Sequence, residues 1–185
     1  MTKSAFTLIE LLIVVAIIGV LAAIAVPNFL LAQTKAKIAR VEGDIKAMAT
    51  AMELYRIDCN DFPNSSTGGV FQSFTRLEEL VSPTPYMNTI PIDPFNKWGV
   101  PGHLSAKEYI YHNDTASEWP KNVFLDLRQH HYGPGKLSPN WIIIGFGPDQ
   151  TTQDWDRGGS IPWGAVAYEP SNGVVSRGDI YRFGP

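Results

Sequence analysis

After Glu10 the chain runs for roughly 24 residues, positions 11–34, without one ionisable side chain; the next charge is Lys35. A helix of that length is enough to cross the ~30 Å hydrocarbon core of a bilayer. The run therefore constrains everything after it. If the first fifty or so residues form one helix, the rest of the 185-residue chain is about one small domain's worth of sequence.

Pro27 lacks an amide proton and crowds the preceding turn, so the helix is expected to kink or loosen over residues 23–28. The pattern then resumes. Leu31, Thr34, Ile38, Val41, Ile45, Met48, Met52 and Tyr55 recur at spacings of three and four, the mark of one apolar stripe, with Lys35, Lys37, Arg40, Glu42, Asp44, Lys46 and Glu53 between them. A helix from Phe6 to about Asp58 would be ~80 Å long, far more than a membrane requires. Its second half must pack on something, and the chain's own C-terminal domain is the nearest candidate.

Formal net charge is -3, and charged residues make up 18% of the chain. With no basic excess, nucleic acid is not an expected partner. Cys59 is the only cysteine, which rules out an intramolecular disulfide and leaves it as an expected small buried hydrophobe. Asp58 and Asn60 beside it supply no base that would activate the thiol.

Three readings of the first stretch compete. Lys3, an apolar segment over residues 11–21 and the triplet Ala23, Ile24, Ala25 match a secretory signal whose cleavage would release a soluble exported binding protein. Glu10 argues against this, since it stands where a signal peptide carries positive charge or none, and against an ordinary anchor, since a carboxylate at the membrane edge marks a functional site with a partner. In the third reading a leader of residues 1–5 is removed. Phe6 then carries a new ammonium one turn before Glu10, and the two charges can pair within a chain or between neighbours, with Glu10 at the positive end of the helix dipole.

The segment FTLIELLIVVAIIGVLAAIAVPNF resembles the class III signal of type IV pilins and of the pseudopilins of type II secretion systems. The resemblance implies a prepilin peptidase that cuts between Ala5 and Phe6 and methylates the new amino group, with Glu10 guiding docking of identical subunits into a helical filament. Ala5 stands where the family has glycine before the cut. The cations Lys35, Lys37 and Arg40 beyond the span outnumber Lys3 before it, which by charge alone favours the opposite orientation; the resemblance puts the globular end outside, and long domains translocate regardless of flanking charge.

Beyond the helix, residues 55–63 are turn-prone and end in Pro63, much as pseudopilin helices end, and residues 64–69 read as a polar loop. Residues 74–81 read as a short helix with Leu77, Leu80 and Val81 inward. Ile92, Asp93, Pro94 and Phe95, then Trp98 and Gly99, resemble the Asp-Pro-aromatic-Gly segment of the major pseudopilins. Strands are expected at 108–112, at 140–147 as the central one, and at 179–183, with a hairpin pairing 165–168 with 173–175 around Pro170 to Gly173. Residues 113–139 match nothing recognised and read as an ordered, family-variable insertion.

Asp149, Asp154, Asp156 and Asp179 lie among flexible glycines, a composition that suits calcium, although the EF-hand pattern is absent. The plain alternative is solvated turn residues and a strand cap. By resemblance to the calcium loop of major pseudopilins, Asp149 and Asp179 align by motif and the other two by neighbourhood. His103, His112, His130 and His131 form no metal spacing, no nucleophile or phosphate-loop motif occurs, and the aromatics read first as core and interface, so a non-enzymatic chain is expected.

The expectation is an α+β, pilin-like fold: a leader over 1–5, a transmembrane and assembly helix over 6–30, its amphipathic continuation over 31–60, and a globular domain over 61–185 built on a small antiparallel sheet. The resemblance implies a structural subunit of a type II secretion pseudopilus, with a type IV pilin for adhesion or motility as the alternative. Implied partners are identical subunits, a prepilin peptidase, an inner-membrane assembly platform with minor pseudopilins, and membrane lipid before assembly. The implied place is the bacterial inner membrane, single pass, with the C-terminal domain in the periplasm.

Overall fold

The computed structural model describes residues 7–64, 73–97, 108–113, 140–150, 168–174, 176 and 178–184. The first element, α1, is one 52-residue helix, Leu8–Cys59, with Pro27 inside it. Helical hydrogen bonding on both sides of the missing amide carries the helix past the proline, so the expected weak point does not end it. The helix closes at Asn60, whose left-handed backbone (φ 56°) suits asparagine and whose N–H donates to the Arg56 carbonyl at 2.8 Å.

The two halves of α1 differ in what surrounds them. No described residue before Thr34 is even partly buried. In the second half Ile38, Val41, Ile45, Met48, Ala49, Ala51 and Met52 are buried. The expected stripe is thus confirmed from Ile38 to Met52, widened by two alanines, while Leu31 stays exposed and Thr34 and Tyr55 lie at its margins. Cys59, at the last helical position beyond that stripe, is exposed rather than buried as expected.

Under the stripe lies a three-stranded antiparallel sheet in the order β1 (Ile110–Asn113), β2 (Trp141–Gly145), β3 (Ile180–Gly184). The central β2 pairs Ile144 with Ile110 and with Tyr181, and every residue in it is buried, as its unbroken apolar run demands. Gly145 sits directly beneath α1. A Cβ there would come within 2.8 Å of the Val41 Cγ1, so only glycine allows this approach of helix to sheet.

A 3-10 helix over Ser73–Leu80 occupies the place of the expected short helix and buries Leu77 and Leu80. It is tied to the end of α1 through Glu79, whose Oε2 accepts from the Tyr55 hydroxyl at 3.1 Å and from the Asn64 amide at 3.2 Å. The Pro63 carbonyl accepts from Tyr111 Oη and from Asn113 Nδ2, both at 2.9 Å.

Several boundaries differ from the expected ones. The strand expected from Glu108 begins at Ile110, because Glu108 makes only an isolated bridge to Ile92. Asn113, assigned to the insertion, is a buried end residue of β1. The expected hairpin is not formed at residues 168–174: Pro170–Asn172 is a 3-10 turn, Gly173 (φ 106°) donates back to the Pro170 carbonyl at 3.2 Å, and neither Gly173 nor Val174 is in a strand. Residues 165–167 and 175 of that hairpin, the loop from 65, Trp98 and Gly99, and positions 114–139 of the insertion lie outside the described residues.

Candidate functional site

Two parts of the molecule hold the residues singled out in the sequence. The first is the head of α1. Thr7 is the N-cap in extended conformation, and its hydroxyl oxygen accepts from the Glu10 amide at 3.3 Å. The Glu10 carboxylate reaches back, Oε2 accepting from the Thr7 amide at 2.9 Å and from the Thr7 hydroxyl at 2.7 Å. This reciprocal arrangement is a capping box, which satisfies donors that a helix start otherwise leaves bare. The signal was in the sequence as Thr7-x-x-Glu10 ahead of an apolar run, and Thr7 is the residue the sequence reading missed. Phe6 and Ala5 lie outside the described residues.

Below this head the helix presents apolar side chains on all sides, from Leu8 and Ile9 through Val20, Ile24 and Phe29 to Leu31. The segment is long and apolar enough to cross a membrane. A surface of this kind in water would drive association, so it belongs in lipid or against other apolar helices.

The second part is the acid loop that follows β2. Gly147 passes so close to the Gly178 carbonyl that no side chain fits between them. Two residues on, Asp149 Oδ2 accepts from the Gly178 amide at 3.3 Å, and Gln150 N–H closes the turn onto the Gly147 carbonyl at 3.0 Å. Asp179, buried at the start of β3, accepts from the Tyr181 hydroxyl at 3.0 Å, and its carbonyl accepts from the Tyr168 amide at 2.9 Å. The structure therefore brings Asp149 and Asp179 to the same crossing of two segments. Asp154 and Asp156 lie outside the described residues, and among the described residues no group of three or more His, Cys, Asp or Glu could hold a metal. What the crossing offers is carboxylate and carbonyl oxygen, the donor chemistry of a hard cation.

Beneath the loop is a residue whose role the sequence did not reveal. Asp93 is buried, accepting from the Phe95 amide at 2.8 Å through Oδ1 and from the Phe146 amide at 2.6 Å through Oδ2. Burial raises its pKa to about 6, against the lowering effect of the amides it accepts from, with the Asp44 carboxylate adding to the rise. Asp44 itself pairs with Arg40 at 3.5 Å and accepts from the Tyr109 hydroxyl at 3.0 Å. Tyr109 is held neutral by burial, reinforced by the charges of Asp93 and Asp44. Lys37 lies 6.0 Å over the Phe95 ring, so one of the cations just past the apolar span meets the globular part, while Arg40 pairs within α1 itself.

Residues 1–26 match the family described as the prokaryotic N-terminal methylation motif, and residues 28–117 match type II secretion system (T2SS), protein G. The chain is 37% identical to the type II secretion system core protein G of Pseudomonas aeruginosa, over 54% of this chain and 70% of that protein. It is 33% identical to the protein of the same name from Vibrio cholerae, over 78% of this chain and 95% of that one. The type IV major pilin protein PilA of Myxococcus xanthus is 54% identical over 50 residues, 27% of this chain and 23% of the pilin. No solved structure matches the chain. A methylation motif on the capped apolar head, and similarity that runs on through the sheet-bearing domain to cover nearly all of the Vibrio protein, place the chain in the type II secretion system core protein G family.

Proposed function

We propose that the chain is the structural subunit of a type II secretion pseudopilus or a related pilus-like filament, assembling through α1 to drive protein secretion. One observation carries this: a single continuous helix joins a fully exposed apolar half, capped by Glu10, to a half buried on the sheet. Such a rod can be drawn out of lipid and packed against copies of itself without disturbing the domain it carries. Residues 1–5 are the leader, 6–30 the membrane and assembly segment, 31–60 its amphipathic continuation and 61–185 the globular domain. A prepilin peptidase cuts between Ala5 and Phe6, and the new Phe6 ammonium faces Glu10 of its own or a neighbouring chain.

In this reading the subunit waits in the bacterial inner membrane with its domain in the periplasm. An assembly platform and minor pseudopilins receive it, and its work is mechanical rather than enzymatic. The surface-pilin alternative draws support from a shorter match, since similarity to PilA covers 50 residues whereas similarity to protein G extends to residue 117. N-terminal sequencing and intact mass of the native protein test the proposal. A methylated start at Phe6 supports assembly, and a start at Val26 sinks it in favour of a released soluble protein.

For the acid loop we infer a calcium site built on Asp149 and Asp179, with Asp154 and Asp156 contributing. The support is the crossing of the two segments and its all-oxygen donors. Calcium there would supply charge neutralisation that locks the loop to β3. A melting temperature that is the same with calcium and with chelator would retire this reading.

A further inference from the structure

The acid loop begins one residue after Phe146, and the Phe146 amide is held by Asp93 rather than by a neighbouring strand. We propose that Asp93 is the positioning residue of this loop: by gripping Phe146 it sets the direction in which the chain leaves β2 and so brings Asp149 onto Gly178. The part that concerns calcium rests on the site inferred above; the part that concerns the loop's geometry does not.

Three observations support the assignment. First, Asp93 spans two segments distant in sequence. Oδ1 closes the turn of its own segment on Phe95, and Oδ2 crosses to Phe146, so one carboxylate fixes the distance between the 93–96 turn and the end of β2. The turn is anchored in its turn, because Phe95 and Asn96 are buried and Asn96 N–H donates to the Asp93 carbonyl at 3.3 Å.

Second, the path from Phe146 leaves little freedom. Gly147 must slide against the Gly178 carbonyl where no Cβ fits, and Asp149 must then reach the Gly178 amide. A rotation at Phe146 of a few tens of degrees would move Gly147 off this contact and carry Asp149 away from its partner. Third, the carboxylate is costly where it stands, buried and near the like charge of Asp44. A turn alone would be served by asparagine or serine, which close the same kind of turn without a buried charge. Only a carboxylate offers acceptors on both sides, and two amides require both.

The test uses the full chain in detergent, with amide hydrogen exchange read residue by residue. In Asp93→Asn the amide group can accept from one backbone N–H but turns its own NH2 toward the other. Phe146 is expected to exchange at least tenfold faster, and Gln150 and Gly178 to follow it, while the β1–β2 ladder at Ile142 and Ile143 keeps its rates. Asp93→Ser is the second variant: its hydroxyl still closes the turn on Phe95 and is too short to reach Phe146, so the same pattern is expected even if the asparagine variant does not fold.

Acceleration of Phe146 alone, with Gln150 and Gly178 unchanged, overturns the proposal, as does a uniform rise across the sheet. Calcium chloride titration of whichever variant folds is expected to show at least a tenfold loss of affinity, measured at a temperature where that variant is fully folded. If the parent itself binds no calcium, the calcium reading fails and the exchange pattern alone decides the role of Asp93.

Discussion

Asp93 is a charge in a place that favours its neutral form, and that has a measurable consequence. Its folded pKa of about 6 lies above the ordinary aspartate value of 3.8, so the stability it contributes is fully present below pH 3.8 and lost as pH rises through 6. Between pH 7 and pH 5 the parent should therefore gain about 1 kcal/mol relative to Asp93→Asn, which has nothing to titrate there. Parallel thermal melts of the two proteins across that range check it; a constant difference between them would show that Asp93 is solvated. Glu108, raised by burial and by Glu78, acts with the same sign in both proteins and cancels. Single residues were also the least legible part of the sequence. The capping box of Thr7 and Glu10 was there to be read as spacing, whereas Asp93 was recognised only as part of a motif, because its partner Phe146 is 53 residues away. Cys59 was misjudged for a related reason: burial of a helix-end residue depends on where the sheet stops, which no local pattern records.

At the scale of elements, periodicity did most of the work. An uncharged run followed by a stripe at spacings of three and four specifies a helix long before any tertiary contact is known, and the five-residue apolar run of β2 specifies a strand covered on both faces. At residues 168–174 the hairpin expected around Pro170 is not formed, because turn residues mark a reversal without stating whether the flanking residues pair, and here the chain closes into a 3-10 turn. The stripe makes its own prediction. Met48→Ala removes a fully buried side chain between helix and sheet and should cost roughly 2–5 kcal/mol, while Ile57→Ala, on the exposed end of the same helix, should cost under about 0.5 kcal/mol. Gly145→Ala should also destabilise, by roughly 1–3 kcal/mol of overpacking, since Val41 Cγ1 stands in the way of the added methyl. Denaturant melts of the full chain in detergent rank the three; equal losses for Met48 and Ile57 would contradict the placement of the stripe.

The whole molecule is a rod with a domain on one end, and its two halves answer to different solvents. The second half is stabilised by burial against the sheet and needs no other subunit, so substitutions in the first half should leave the domain's melting temperature unchanged. The first half has no intramolecular partner for its apolar surface among the described residues, so its state depends on lipid or on neighbouring copies. Glu10 is the one charge in that half, and where it sits decides which of these wins. In lipid the carboxylate is costly and is eased by the capping contacts from Thr7; against a neighbouring chain, under the proposed processing, it would gain the ammonium that a cut before Phe6 exposes. Glu10→Leu removes the cost in lipid and the attraction to the neighbour together. The variant should insert in the membrane at least as well as the parent, fold its domain with the same melting temperature, and still be cut before Phe6, yet yield few filaments when sheared surface or periplasmic fractions are compared. Normal filament yield from Glu10→Leu would show that apolar packing alone selects the neighbour and that the pairing of Glu10 with Phe6 does not.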